Sequence, residues 1–384
     1  MAHFRKIILP LIIYCGISQT ALAGDFDFNK FSAGIDAIFS SIPQYDAPGC
    51  SVGVIEDGKF IHKAGYGMAN LELDVPLSAD SIFRMASVSK QFTATAVHLL
   101  ADQGLIDLDE DIRTYLPELN DYGQKVTIRQ MLGHVSGMGD YNLIAGSYEG
   151  EKVASDINLK SAAGGPFRLG NEDYLTIEEF YDVIKKVKLI HDPMSKAEYS
   201  NFAYFLFSML VEKQSGLSLR EYSQKYIFSP LAMDKTFFSD DGLEVIKNRA
   251  TGYKAKKDGG YQTDMTNMFV VGDGGLHTSI NEFIKWDNHF YTPKLGKDPE
   301  TFIENFNRAN SPLKMRDALY ANGQFIDKIL DRNVFAHSGG WLGFSTYYVR
   351  FPDQRLSIAT LCSDVNQEPG KHSLEIAKLY FIMK

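Results

Sequence analysis

Phe83-Arg84-Met85-Ala86-Ser87-Val88-Ser89-Lys90 runs straight into QFTATAVHLLADQ and stops at Gly104. The residues after Ser87 favour a helix, and Gly104 sits where a left-handed C-terminal cap belongs. Ser87 and Lys90, three apart, then share one face of the first turn. A serine opening a helix lies where N–H groups and the dipole favour developing negative charge, and a lysine on the same face can take its proton. Ser-x-x-Lys is weak by itself, and Ser311-Pro312-Leu313-Lys314 repeats it. The second copy precedes no helix and lacks downstream partners in the right order.

The chain has 384 residues, a formal charge of −9 and 45% hydrophobic residues, enough for a large buried core. Its start reads as a signal peptide spanning residues 1–23: Arg5 and Lys6, the apolar run IILPLIIYCGIS, then Ala21-Leu22-Ala23 at a cleavage site. The expected location is therefore periplasmic or secreted, with no stable membrane insertion after cleavage. An acidic chain without a basic cluster argues against nucleic acid as a partner. Of the three cysteines, Cys50 and Cys362 remain after processing. They can pair in an oxidising compartment or stay as two buried thiols.

Residues 24–48 read as an amphipathic helix through Phe31, Ile35, Ile38 and Phe39. Cys50 to Ile55 and Lys59 to His62, joined by Asp57-Gly58, predict a β-hairpin. The middle of the chain reads as helical. Thr127, Thr176, Ser218 and Ser279 each open a capping box with Gln or Glu three residues on. Residues 141–175 read as a long surface loop, and Gly272-Asp273-Gly274-Gly275 as a place where backbone passes close to a packed neighbour. Three strands follow, Val334 to His337, Ser345 to Phe351 and Leu356 to Cys362, then a helix over 372–383. The expected architecture is α+β. An antiparallel sheet is formed by both chain ends (24–86 and 272–384) and flanked by helices, with an all-helical subdomain, 87–271, inserted.

A lysine-activated serine needs a proton relay, oxyanion donors and a substrate ledge. Tyr199-Ser200-Asn201 begins a helix, so its side chains can enter a cleft, whereas Tyr320-Ala321-Asn322 reads as packing or turn. His337-Ser338-Gly339-Gly340, placed at a strand end, lets a substrate backbone lie along the strand. The motifs in this order, with the phrases VTIRQMLGHVSGM, GDGGLHTS and HSGGWLGFSTYYVRFP, resemble the serine β-lactamase and penicillin-binding-protein superfamily, in particular its class C β-lactamase-like family. The resemblance runs from near Pro48 to about Asp364.

It implies Ser87 as the acylated nucleophile, Lys90 as its activating base, Tyr199 as the second proton carrier and Asn201 as the residue orienting substrate and lysine. It also implies an oxyanion hole from the Ser87 and Gly340 N–H groups, a substrate ledge of His337, Ser338, Gly339 and Gly340, and no metal or organic cofactor. His134 and Ser136 read as structural. Class C β-lactamases carry lysine at position 337; histidine there resembles D,D-peptidase, D-aminopeptidase and esterase branches. The expectation is an exported serine hydrolase acting on a small amide or ester, such as a D-amino-acid peptide, with β-lactams weaker substrates. An acyltransferase, or a non-catalytic peptidoglycan- or protein-binding module on the same fold, remains open. So do the oligomeric state and the substrate.

Overall fold

The computed structural model describes residues 26–143, 176–266 and 268–384. The signal-peptide reading, and the 141–175 loop apart from the turn Tyr141–Leu143, lie outside them. One seven-stranded antiparallel sheet organises the chain. Its strands are β1 (Cys50–Glu56), β2 (Lys59–Tyr66), β3 (Leu319–Ala321), β4 (Gln324–Ile329), β5 (Arg332–Trp341), β6 (Phe344–Phe351) and β7 (Leu356–Cys362), in the order β3-β4-β5-β6-β7-β1-β2. The hairpin forms at Asp57-Gly58, where both residues have positive φ. Both chain ends thus complete one sheet, with β1 beside β7 and Cys50 opposite Cys362. The two cysteines form a disulfide.

The sheet is covered on both sides, so β7 is buried along its whole length. Helices α1 (Phe28–Ile38) and α5 (Pro369–Met383) close one face, through Phe31, Ile35, Ile376 and Tyr380 against Val52, Val54 and Ile358. The other face meets the larger core, which contains α2 (Lys90–Gln103), α3 (Asn201–Ser215) and α4 (Ile280–His289). Every residue of α2 from Lys90 to Leu100 is buried, including Gln91, Thr93 and His98. A helix wrapped on all sides can hold a polar group in a fixed place only if that group is hydrogen-bonded. Gln91 Oε1 meets this by accepting from the Trp286 indole at 2.9 Å.

Several local expectations shift. The opening helix is shorter than 24–48, and Phe39 is its C-cap. The capping boxes at Thr127, Thr176 and Ser218 form. The one at Ser279 does not: Glu282 turns inward to accept from Lys235 N–H and the Lys285 ammonium, leaving Ser279 as an N-cap without a side-chain bond. The inserted part is mainly helical, yet it also carries the short strands Phe237–Phe238, Tyr253–Ala255 and Tyr261–Thr263. His337 is not at a strand end, because β5 continues through Trp341 paired to β6.

Candidate active site

Ser87 sits in a single turn of 3-10 helix, Ala86–Ser89, which leads into α2. The turn is entered with Ala86 at φ 46°, a left-handed backbone uncommon for alanine. Its position is set by packing: Met85 N–H donates to Leu276 O, and the Thr346 hydroxyl of β6 donates to Met85 O at 2.9 Å. Gly339 of β5 lies directly against this turn; a Cβ there would fall 2.4 Å from Met85 O and 2.3 Å from Thr346 Oγ1. Gly340 next to it faces open space. The glycines of the third motif therefore differ: Gly339 allows close approach to the turn, whereas a side chain at Gly340 would meet open space.

Lys90 is fully buried, and its Nζ donates to Asn201 Oδ1 at 2.7 Å, to Asp273 O at 2.6 Å and to Ser87 Oγ at 3.4 Å. Three acceptors match the three donors of an ammonium. Burial brings its pKa down to about 8, with the Asp273 and Asp140 charges holding it from falling further. A lysine in this state is a far better base near neutrality than an exposed one.

Tyr199 lies under the ammonium, its ring centroid 4.9 Å from Nζ. Its buried hydroxyl has no well-aligned hydrogen-bond partner among the described residues. Burial raises the phenol well above its usual pKa, and the neighbouring Ser87 hydroxyl pulls the other way. Tyr199 is therefore a neutral phenol near Ser87, able to pass a proton rather than to stand as a phenolate. Its ring rests on His134 (4.3 Å), which also meets Tyr204 (5.1 Å) and Tyr320 (4.5 Å). His134 Nδ1 accepts from Ser200 N–H at 3.1 Å, so its proton is on Nε2. Burial, and then the Lys90 charge, push its pKa well down. His134 has the packing role read from sequence, but directly behind Tyr199. Ser136 Oγ accepts the Met138 N–H at 3.3 Å in the same segment.

His337 is buried, and both ring nitrogens are used within the protein. Nδ1 faces Ser338 O at 2.6 Å, an acceptor only, so Nδ1 carries the proton. Nε2 is then the acceptor, and Tyr320 Oη donates to it at 2.9 Å. Burial, with the Lys90 charge beside it, pushes the pKa to about 3. His337 is thus a neutral, oriented ring, and Tyr320 of the second Tyr-x-Asn pair is its partner. Asn322 and Gly323 form the tight β3–β4 turn, with positive φ at both. Gly323 is pressed onto Gln91, where a Cβ would lie 2.2 Å from the backbone nitrogen. Ser311 is far less organised for chemistry: its hydroxyl accepts Leu313 N–H, and Lys314 is exposed.

Ser87, Lys90, Tyr199 and Asn201 thus converge at the end of α2, with Ser338, Gly339 and Gly340 alongside on β5. Sequence reasoning missed two contributors. Asp273 supplies a main-chain carbonyl, which has no residue signature; its side chain accepts from Tyr141 Oη at 2.6 Å. The glycine before it does pass close to packed backbone, since a Cβ on Gly272 would lie 2.4 Å from Tyr204 O. Asp140 takes the Asn201 amide N–H₂ at 2.8 Å, and only its place after His134-Val135-Ser136-Gly137 hinted at proximity. Among the described residues, no cluster of three or more His, Cys, Asp or Glu side chains is placed to hold a metal, and no helix is long and apolar enough to cross a membrane.

The chain and its fold have recognisable relatives. A D-aminopeptidase of Gluconobacter oxydans is 26% identical over 339 residues, 87% of this chain and 59% of that protein. Penicillin-binding protein 4* of Bacillus subtilis is 27% identical over 80% of this chain and 66% of its own length. The chain thus spans less than two thirds of the length of either. An octameric penicillin-binding protein homologue from Pyrococcus abyssi has the same fold, with a TM-score of 0.74 and 24% identity over 92% of this chain and 76% of that one. The family model described as Beta-lactamase matches residues 31–380, and with that span the chain belongs to the β-lactamase family.

Proposed function

We propose that the protein is an exported serine hydrolase that forms an acyl-enzyme on Ser87. The observation that carries this reading is the fully buried Lys90 ammonium, 3.4 Å from Ser87 Oγ and held by two further acceptors. In its neutral form Lys90 takes the Ser87 proton as Oγ attacks a carbonyl carbon. The negative charge goes to the carbonyl oxygen, held by the Ser87 and Gly340 N–H groups. Tyr199, a neutral phenol, gives its proton to the leaving nitrogen or oxygen and regains one from the Lys90 ammonium. Water then cleaves the ester by the same relay in reverse. Asn201 holds the lysine and the substrate amide.

The substrate we favour is a small amide or ester, with a D-amino-acid peptide the leading case. The D-aminopeptidase and penicillin-binding relatives support this class. A neutral His337 with both nitrogens engaged offers no charge to a substrate carboxylate, which favours substrates that do not need one there and disfavours β-lactams. Export is supported by the leader-like sequence and by the Cys50–Cys362 disulfide, a bond at home in oxidising compartments. The test is a panel of p-nitrophenyl esters, D-amino-acid amides, D-Ala-D-Ala peptides and a chromogenic cephalosporin, with wild type and Ser87→Ala. Turnover of esters or D-amides by wild type alone is expected; cephalosporin as the best substrate, or turnover surviving in Ser87→Ala, contradicts the reading. Tyr199→Phe should lower turnover about 10²-fold, the scale of a lost acid–base group.

A further inference from the structure

Asp140 belongs to none of the three motifs, yet its carboxylate reaches the amide at their centre. Asn201 Nδ2 donates to Asp140 Oδ1 at 2.8 Å, while Asn201 Oδ1 accepts from Lys90 Nζ at 2.7 Å. A carboxamide has one accepting and one donating end, exchanged by a half-turn of the group. An ammonium only donates and a carboxylate only accepts, so these two neighbours together admit a single orientation. Reversed, the amide would set its NH₂ against the ammonium and its oxygen against the carboxylate.

We propose that Asp140 is a positioning residue of this active site, fixing the Asn201 amide so that Lys90 keeps its acceptor beside Ser87. This rests on the reading of Ser87 and Lys90 given above. The segment carrying Asp140 is built to hold that place. Glu198 N–H donates to His134 O at 2.8 Å, Ser200 N–H to His134 Nδ1 at 3.1 Å and the Ser200 hydroxyl to Gly139 O at 2.8 Å. Asp140 Oδ1 also accepts Tyr141 N–H at 2.7 Å. Residues 134–140 thus form a strut along the second motif, and the Asp140–Asn201 bond is its last link to Lys90.

Asp140 also acts on Lys90 by charge. The groups facing the ammonium are the Asp140 and Asp273 carboxylates, the neutral rings of His134 and His337, and the phenols of Tyr199 and Tyr204. Of these groups, only the two carboxylates carry a charge that favours the protonated lysine. Removing one makes Lys90 lose its proton more easily, so the acid limb of kcat/KM moves to lower pH.

Asp140→Asn keeps an acceptor for Asn201 and removes the charge; Asp140→Ala removes both. With a p-nitrophenyl ester, Asp140→Asn should retain most of the plateau rate, with its acid limb shifted down by at least about half a pH unit. Asp140→Ala should lose about tenfold or more in kcat/KM, without a matching loss of thermal stability. Wild-type rate and pH profile in both variants would overturn the assignment. Equal losses in both variants, with the wild-type acid limb and lowered stability, would also overturn it, as that is the mark of a merely structural residue. Fluorophosphonate labelling of wild type is read alongside. No label on Ser87 sinks the underlying reading, whereas label on Ser87 with unchanged Asp140 variants sinks only the role of Asp140.

Discussion

Tyr320 and His337 show how one hydrogen bond can fix the charge state of a buried ring. The histidine lies in the third motif, and its neighbours keep it neutral. The Tyr320 hydroxyl fills Nε2, the Ser338 carbonyl fills Nδ1, and burial disfavours the second proton. Tyr320→Phe removes the donor and leaves a buried acceptor, so a stability loss of about 1–3 kcal/mol is expected in urea unfolding. A variant as stable as wild type would mean that Nε2 is satisfied some other way. The motif residues Ser87, Lys90, Tyr199, Asn201 and His337 stood out because the three motifs together, in their order, resemble those of a known family; each alone was a weak signal. Tyr320's bond to His337 was not legible, since two residues 17 apart on separate strands announce no contact. Nor was Asp273, whose contribution is a carbonyl that every residue has.

At the scale of elements, the site depends on how closely β5 approaches the 3-10 turn at Ser87. Gly339 makes that approach possible, with Met85 O and Thr346 Oγ1 in the space a Cβ would need. Met85 O is backbone and already bonded to Thr346, so neither neighbour yields cheaply. Gly339→Ala should displace β5 from Ser87 and cut kcat/KM by about 10²-fold, the cost of misplacing groups by about an ångström. Retained activity would show that the strand is not the ledge beside the nucleophile.

Three helix starts, at Thr127, Thr176 and Ser218, were readable from capping chemistry, because a Ser or Thr with Gln or Glu three residues on satisfies orphan N–H groups locally. Ser279 failed for a tertiary reason: Glu282 is buried and committed to Lys235 and Lys285. β3 and β4 left little trace, since Gln324-Phe325-Ile326-Asp327-Lys328-Ile329 has no clean alternation and is only partly buried. β5 ran past its apolar residues because pairing to β6, rather than side-chain type, carries the strand through the glycines.

Across the whole molecule, the sheet joins residues separated by most of the chain, and the disulfide ties 50 to 362 at their register point. The strand pairing was inferable from β runs at both ends; the oxidation state was not, since apolar strands also hold free thiols. Cys50→Ser with Cys362→Ser should lower stability by about 2–4 kcal/mol. An unchanged denaturation midpoint, or two thiols that alkylate without reductant, would contradict the bond.

Acid should also weaken the fold. His98, His277, His289 and His337 are neutral in the native state, with burial pushing their pKa values to about 4, 3, 4 and 3. Unfolded, each titrates near 6.5, so between that value and the native ones the unfolded chain binds more protons. Their stabilising effect is full above about pH 6.5 and is lost as pH falls, by up to about 2 kcal/mol per histidine at pH 5. Tm should drop steadily from pH 7 to 5; a flat profile would mean these rings are already solvated.

Everything in this fold converges on one hydroxyl, so the decisive measurement is where an acylating probe attaches. After reaction with a fluorophosphonate, peptide mass mapping should find a single adduct on Ser87, absent from Ser87→Ala and slowed in Lys90→Ala. An adduct on another serine, or undiminished labelling of Ser87→Ala, would contradict the account.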